Sequence, residues 1–313
     1  MKLSVIIPIY NESENVGPLY SELSEELKRL ANKKTISSYE IIFVNDGSKD
    51  KTKEILEQLS KVDKKLKGIN LRRNFGQTAA LKAGFDNSSG DLIVTMDGDL
   101  QNDPKDIGRL IEKIKQGYDV VSGWRYKRHD SLGKRLSSRI MNNLRQNLIG
   151  DYLHDYGCAL KIYKKECLKD LELFGELHRY ITAYLYIKGY KIGEIKVNHR
   201  QRKFGKTKYK FNRGLNGILD LMFLKYWSSF SNRPLHLFGR LGIYQWILAA
   251  IIVIEQIVKA YLIKELAFGP LLALASMLGI TGLITIIFGF LFEITSRTYF
   301  RDEKIYSIKE IYN

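Results

Sequence analysis

The chain has 313 residues, enough for one large domain or two modest ones, and a formal net charge of +16 at pH 7. Such an excess of Lys and Arg implies an anionic partner, which could be nucleic acid, anionic lipid or a phosphorylated substrate. The two cysteines, Cys158 and Cys167, fit no metal-ligand spacing and exclude a disulfide framework, so both are expected to be reduced thiols. The apolar run at the amino terminus is too short for a signal peptide, so most of the chain is expected in the cytoplasm.

Short apolar runs alternate with amphipathic stretches over the first 123 residues. The apolar runs predict five strands, at 3–9, 40–44, 67–71, 92–96 and 118–123. The stretches between them predict helices over about 16–30, from about 77, and over 104–116. This alternation is typical of βαβ units, so the chain is predicted to open with an α/β domain built on a mostly parallel sheet.

Two aspartates, Asp97 and Asp99, follow the fourth predicted strand directly. Open α/β folds bind ligands at the carboxyl edge of the sheet, and hard divalent cations prefer oxygen ligands such as these carboxylates. Gln101 could add a carbonyl oxygen, and Asp46 stands at the end of the second strand in the same way. An Asp-x-Asp sequence is also common in turns, so the pair by itself is compatible with a plain turn as well as with a metal site.

Two segments further along are strongly basic. Residues 125–145 hold seven Lys or Arg and one Asp, with an apolar residue every fourth position, which predicts a basic amphipathic helix. Such a helix lies either on a membrane surface or against its own domain. Residues 195–219 hold eight Lys or Arg and no acidic residue. The Gly-Lys-Thr triplet at 205–207 lacks the earlier glycine of a P-loop, so we exclude a P-loop there.

The long apolar segments lie near the carboxyl terminus. Residues 215–230 fit a helix at a membrane interface, where Trp is favoured. Residues 268–292 carry no charge over 25 positions, longer than the ~20 that a bilayer requires. Residues 241–263 are interrupted by charged side chains, so they are predicted to be either the first span of a hairpin closed at 264–267 or a re-entrant segment. By the positive-inside rule, four flanking arginines place both ends of the hairpin in the cytoplasm: Arg233, Arg240, Arg297 and Arg301.

Seven short motifs carry a resemblance to a known family. Four lie early in the chain: IPIYNESENV at 7–16, VNDGSKDKT at 44–52, RRNFGQTAALKAG at 72–84 and MDGDLQNDP at 96–104. Three follow: SGWRY at 122–126, DYGCALKIY at 155–163 and RKFGKTKY at 202–209. In this order they resemble the family-two inverting glycosyltransferases of GT-A fold, and within them the polyprenyl-phosphate sugar transferases related to dolichol-phosphate mannose synthase. The resemblance covers about residues 1–210, with one departure at Asn45, where the family usually has Asp.

The resemblance implies roles for particular residues. It makes Asp97, Asp99 and Gln101 the ligands of Mg²⁺ or Mn²⁺. It assigns binding of the nucleotide sugar to a second set, Pro8, Tyr10, Glu12, Asp46, Gly76 and Gly98. It implies that Arg125, Arg139 and Arg202 surround the phosphate of the acceptor. Together with Asp99, these arginines are the expected catalytic residues. Arg139 rests on spacing within a variable helix, and Arg135 is an open alternative.

The implied activity is metal-dependent, inverting transfer of a sugar from a UDP- or GDP-linked donor to a membrane polyprenyl phosphate. Two alternatives are a GT-A transferase with another lipid or glycan acceptor, and a non-catalytic membrane-tethered protein that binds anionic lipid or nucleic acid. For the main interpretation no nucleic acid partner is expected, and a homo-oligomer is left open. The expected domains are a catalytic domain at 1–210, an interface helix at 211–235, a transmembrane hairpin at 236–296 and a cytoplasmic tail at 297–313.

Overall fold

The computed structural model describes residues 1–126, 143, 146, 148–169, 171, 173, 175, 177–202, 204, 213–230, 233–263 and 269–299. The chain divides into two compact units, Met1–Leu221 and Met222–Asn313. Most of the predicted basic helix at 125–145, the triplet at 205–207, the turn at 264–267 and the tail from residue 300 lie outside the described residues.

The first unit is built on a mixed sheet in which one strand runs against the others. Its strands are β1 (Lys2–Ile9), β2 (Ser38–Asn45), β3 (Leu66–Asn70), β4 (Leu92–Thr95), β5 (Val120–Trp124), β6 (Lys161–Lys164) and β7 (Ile192–Lys196). Their order across the sheet is β3-β2-β1-β4-β6-β5-β7. The strand β6 pairs antiparallel with both β4 and β5, and the other pairs are parallel. The predicted α/β fold with a mostly parallel sheet is therefore confirmed.

Helices connect the strands and cover the sheet. In the first unit they are α1 (Ser13–Asn32), α2 (Thr52–Val62), α3 (Gln77–Asp86), α4 (Asp106–Lys115) and α5 (Ile181–Ile187). The side chains of α1 that recur at helical spacing, Leu19, Leu23 and Leu27, are fully buried in one core with Val5 and Ile7 of β1. The regular apolar spacing of α1 therefore serves to cover one face of the central strands.

The carboxyl ends of β1, β2, β4 and β5 meet at one edge of the sheet, because these strands share a direction. Gly98 lets the loop after β4 approach β1 closely, since a Cβ atom at this position would lie 2.5 Å from Cγ2 of Ile9. Gly47, after β2, has φ of +66° and packs against the backbone of Arg73. These two glycines bring three loops together at the edge where ligands bind in open α/β sheets.

The strands β6 and β7 were not predicted from the sequence. The four residues of β6, Lys-Ile-Tyr-Lys, begin and end with lysine, and the first of them, Lys161, is only 3% exposed. A lysine is rarely buried, so its presence argued against a strand in the interior. The tertiary structure overrides this local signal by placing β6 between β4 and β5.

A further helix, α6 (Arg213–Phe230), crosses from the first unit into the second, which contains α7 (Pro234–Ile263) and α8 (Pro270–Tyr299). By length and composition, the helices α7 and α8 are long and apolar enough to cross a membrane. They pack closely through glycines, since a Cβ atom at Gly242 would lie 2.7 Å from the carbonyl oxygen of Gly282. The helix α7 begins seven residues before the predicted segment at 241–263 and ends with it, and α8 begins two residues after the predicted start at 268 and ends seven residues after the predicted end at 292.

Candidate active site

The aspartate pair after β4 lies at the carboxyl edge of the sheet. The carboxylate of Asp97 accepts a hydrogen bond of 3.0 Å from the side-chain amide of Gln77, the first residue of α3. The backbone amide of Asp97 donates to the side-chain oxygen of Asn102 at 3.0 Å, which closes the loop between the two residues. Asp99 is buried, and Asp97 is partly exposed. The edge of the sheet thus holds two carboxylates on a short, internally bonded loop.

The electrostatic environment of Asp97 disfavours its charged form. Burial, and then the neighbouring charge of Asp99, raise the pKa of Asp97 to about 6, although Arg125, Gln77 and Arg202 act in the opposite direction. Two carboxylates that destabilise one another are a favourable place for a cation. The site would therefore gain from an added positive charge.

The donor set is compatible with a divalent cation. Within the described residues no group of three or more His, Cys, Asp and Glu side chains is arranged to hold a metal ion. Mg²⁺ is usually bound through one or two carboxylates together with water and substrate phosphates, so two aspartates are sufficient protein ligands for such an ion. The side chain of Gln101 lies near the carbonyl oxygen of Arg200, to which its amide nitrogen donates at 3.4 Å.

Arg202 contacts the predicted metal site directly. Its guanidinium donates to the carboxylate of Asp99 at 2.6 Å. Burial lowers the pKa of Arg202, but the hydrogen bond to Asp99 and the charges of Asp99, Glu12 and Asp97 outweigh it, so the pKa lies above its usual value. The segment that carries Arg202 is attached to the loop after β4, because the amide of Arg200 donates to the carbonyl of Gln101 at 2.9 Å.

Arg125 is held by a bidentate ion pair. Its Nε and Nη2 atoms donate to the two oxygens of Asp155 at 2.7 and 2.9 Å, and its backbone amide donates to the same carboxylate at 3.1 Å. Both side chains are largely buried, with exposed fractions of 13% and 6%. Arg125 directly follows β5, so it lies at the same edge of the sheet as the aspartate pair, and its charge lowers the pKa of Asp97.

The residues expected to bind the nucleotide follow β1 and β2. The two carboxylate oxygens of Asp46 accept hydrogen bonds from the backbone amides of Phe75 and Gly76 at 2.7 and 2.9 Å. Asp46 therefore fixes the loop that carries Gly76, whose φ of +96° suits glycine. Glu12 accepts from the side chain of Asn15 at 2.5 Å. Pro8 and Tyr10, at the end of β1, are partly exposed at the same edge.

The structure links five of the predicted site residues and adds others. Asp97, Asp99, Arg125, Arg202 and Glu12 are linked by the contacts and charges described above. Arg139 and its alternative Arg135 lie outside the described residues. Sequence reasoning did not single out Gln77, which bonds to Asp97, or Asp155, which bonds to Arg125, although both lie in quoted motifs, RRNFGQTAALKAG and DYGCALKIY.

The chain is similar to known glycosyltransferases in sequence. A family model for glycosyl transferase family 2 matches residues 4–172. Dodecaprenyl-phosphate galacturonate synthase of Rhizobium johnstonii is 36% identical over 321 aligned residues, covering 100% of this chain and 94% of the relative. Undecaprenyl-phosphate 4-deoxy-4-formamido-L-arabinose transferase of Salmonella choleraesuis is 37% identical over 242 residues, covering 77% of this chain and 71% of the relative.

Solved structures share the fold at low sequence identity. Glucosyl-3-phosphoglycerate synthase of Mycobacterium tuberculosis, in complex with Mn²⁺, UDP-glucose and phosphoglyceric acid, superposes with a TM-score of 0.54 at 16% identity. The superposition covers 72% of this chain and 79% of that one. A mannosyltransferase of Pyrobaculum calidifontis, in complex with GDP-Man and Mn²⁺, gives a TM-score of 0.51 at 15% identity over 98% of this chain and 76% of its own.

Proposed function

Since the chain belongs to glycosyl transferase family 2, we propose that it transfers a sugar from a nucleotide-diphosphate sugar to a membrane polyprenyl phosphate, inverting the anomeric carbon. The relatives just described are named for dodecaprenyl-phosphate and undecaprenyl-phosphate products or acceptors, which supports this acceptor class. The observation that carries the proposal is the placement of Asp97 and Asp99 after β4 and of Arg125 after β5 at one edge of the sheet, with the guanidinium of Arg202 bonded to Asp99. Carboxylates can hold a cation that binds the diphosphate, and arginines can bind a second phosphate beside it through charge-assisted hydrogen bonds.

The chemistry on the donor side requires stabilisation of a leaving group. When the anomeric C–O bond breaks, negative charge develops on the departing nucleotide diphosphate. We assign Asp97 and Asp99 as the residues that would hold Mg²⁺ or Mn²⁺, with Gln101 as a further candidate ligand. When bound, such an ion supplies Lewis-acid stabilisation of the leaving group. The Mn²⁺ complexes of two proteins with this fold support a divalent cation.

The chemistry on the acceptor side requires positioning of an anion. A lipid phosphate is already a charged nucleophile, so the site needs no general base to activate it. It does need cations, because a second anion must approach a donor that is itself negatively charged. Arginine binds phosphate through two parallel hydrogen bonds, and we assign this role to Arg125 and Arg202, with Arg139 as a third candidate. In-line attack from the face opposite the diphosphate gives inversion.

The crevice beside the aspartate pair would receive the nucleotide. We assign contacts with the base and ribose to Pro8, Tyr10, Glu12 and Asp46, with Gly76 and Gly98 lining the same crevice. The hydrogen bonds that Asp46 accepts from the amides of Phe75 and Gly76 support this assignment, because they fix the loop between β3 and α3 beside the end of β2. The donor is UDP- or GDP-linked, as in the two solved complexes.

The acceptor and the apolar helices support a membrane location. We propose that α7 and α8 form a transmembrane hairpin, with the catalytic unit and both termini in the cytoplasm. The length and composition of these helices support the span, and the arginines that flank them support the orientation.

A donor panel tests this function. The purified protein in detergent is given radiolabelled UDP- and GDP-sugars with undecaprenyl phosphate and Mg²⁺ or Mn²⁺, and lipid-soluble label is counted. One donor is expected to give product, and Asp99→Ala is expected to remove it while the variant remains folded, since Asp99 lies on a loop and its loss opens no apolar cavity. Near wild-type turnover by Asp99→Ala, or transfer only to an acceptor that lacks phosphate, would contradict the proposal.

A further inference from the structure

The ion pair of Arg125 depends on a short turn, which we call the Asp155 turn and define as residues 154–157. Its Asp155 carboxylate holds the guanidinium of Arg125. The amide of Gly157 donates back to the Asp155 carboxylate at 3.1 Å. The turn is also shaped to the guanidinium, since a Cβ atom at Gly157 would lie 2.8 Å from Nη2 of Arg125. The position of Arg125 is therefore set by the conformation of this turn.

Two charged side chains hold the Asp155 turn from outside. The carboxylate of Glu194, on β7, accepts hydrogen bonds of 3.0 Å from the backbone amides of His154 and Asp155. The ammonium of Lys161, on β6, donates to the carbonyl oxygen of Tyr156 at 3.2 Å. One anion thus binds the amides at the start of the turn, and one cation binds a carbonyl near its end.

Lys161 occupies an unusual place for a lysine. It pairs in the sheet with Thr95, two residues before Asp97, and with Ser122, three residues before Arg125. It is 3% exposed, and burial lowers its pKa to about 8. A buried ammonium is costly, and the carbonyl oxygen of Tyr156 and the negative charge of Asp155 offset part of that cost here.

We propose that Lys161 and Glu194 are positioning residues for the acceptor phosphate. They fix the Asp155 turn, and the turn in turn fixes the guanidinium of Arg125, which binds the phosphate. This inference rests on the proposed function, in which Arg125 binds that phosphate. An arginine side chain has many conformations, and a partner that restricts it lowers the entropic cost of binding the anion. Loss of either positioning residue should weaken the acceptor site and leave the donor site unchanged.

A double-mutant cycle tests the proposal. Lys161→Met and Glu194→Gln are made alone and together with Arg125→Gln, and the KM for undecaprenyl phosphate is measured. Lys164→Met is the matched control, because Lys164 ends the same strand at the opposite edge of the sheet and pairs with Asp119. Donor affinity is measured by calorimetry for each variant.

We expect Lys161→Met and Glu194→Gln each to raise the acceptor KM about tenfold, the usual scale for residues that orient a binding group, with donor affinity unchanged. Neither should raise it further in the Arg125→Gln background, since the effect acts through Arg125. Lys164→Met should change neither quantity.

Three results would overturn the proposal. The first is an acceptor KM that Lys161→Met and Glu194→Gln leave unchanged, and the second is a loss of donor affinity as large as the rise in acceptor KM. The third is a rise in acceptor KM in the Arg125→Gln background as large as that in the wild-type background. If Lys161→Met does not fold, the Glu194→Gln arm of the cycle decides the same question. An acceptor KM that Arg125→Gln itself leaves unchanged would instead refute the role of Arg125 under the proposed function, and the positioning inference with it.

Discussion

The guanidinium of Arg202 lies 2.6 Å from the carboxylate of Asp99, so a proposed phosphate-binding arginine is paired with a proposed metal ligand 103 residues away in sequence. A divalent cation on Asp99 would compete with Arg202 for this carboxylate. Occupation of the metal site would then leave the guanidinium available for a phosphate. The pair connects the donor side of the site to the acceptor side.

Arg202→Ala is predicted to increase the affinity for Mn²⁺ in the absence of nucleotide. A partly exposed ion pair contributes about 1 kcal/mol, which corresponds to roughly a fivefold change in affinity. Arg200→Ala is the matched control, because Arg200 pairs with Glu22 and Asp103 rather than with Asp99. Mn²⁺ titrations followed by electron paramagnetic resonance provide the measurement. Equal affinities in the wild type and both variants would show that the pair does not compete with the metal.

Arg125→Gln is predicted to weaken the use of acceptor and to lower stability. Removal of the guanidinium breaks the buried bidentate pair with Asp155, which costs about 3 kcal/mol for a pair of this kind. Denaturant unfolding measures the loss, and kinetics at varied undecaprenyl phosphate give the acceptor KM. The double variant Arg125→Gln, Asp155→Asn should recover stability without recovering the KM. Recovery of both would assign the arginine a purely structural role.

Asp97→Asn is predicted to raise the melting temperature at pH 7 while it removes activity. Because burial and Asp99 raise the pKa of Asp97 to about 6, the folded state binds this proton more tightly than the unfolded state. Stability from this group is therefore fully present below the ordinary pKa of an aspartate, about 4, and is lost as pH rises from there through about 6. Melting curves recorded with a chelator at about pH 4 and pH 7 should show a small gain at the lower pH and a larger gain at the higher pH. A gain of equal size at both values would contradict this account.

The acceptor KM is predicted to rise as pH increases through about 8, where Lys161 loses its proton. Burial sets this pKa, Cys158, Asp155 and Asp97 raise it, and Arg125 lowers it. Below that pH the ammonium holds the Asp155 turn, and above it the neutral amine is a weaker donor. In Lys161→Arg the side chain should stay charged above this pH, so the acceptor KM should no longer rise. The same pH profile in Lys161→Arg and wild type would assign the titration to another group.

The sequence predicted the framework of the site better than its connections. The strand that ends at Asp97 was recognisable because a buried apolar run stops at two carboxylates. The pairing of Asp99 with Arg202 could not be predicted, since it depends on how the segment after β7 returns to the loop after β4. Glu194 carried no signal, because a glutamate in a strand normally indicates solvent exposure, and the DYGCALKIY motif that contains Lys161 did not indicate that this lysine would be buried.

The most direct test of the account is the structure of the product formed by the purified protein. After a reaction with the donor found in the panel, nuclear magnetic resonance of the isolated lipid gives both the linkage and the anomeric configuration. The expected product is a phosphodiester between the lipid phosphate and C1 of the sugar, with the anomeric configuration opposite to that of the donor. A product with retained configuration, or with the sugar attached anywhere other than the lipid phosphate, would contradict it.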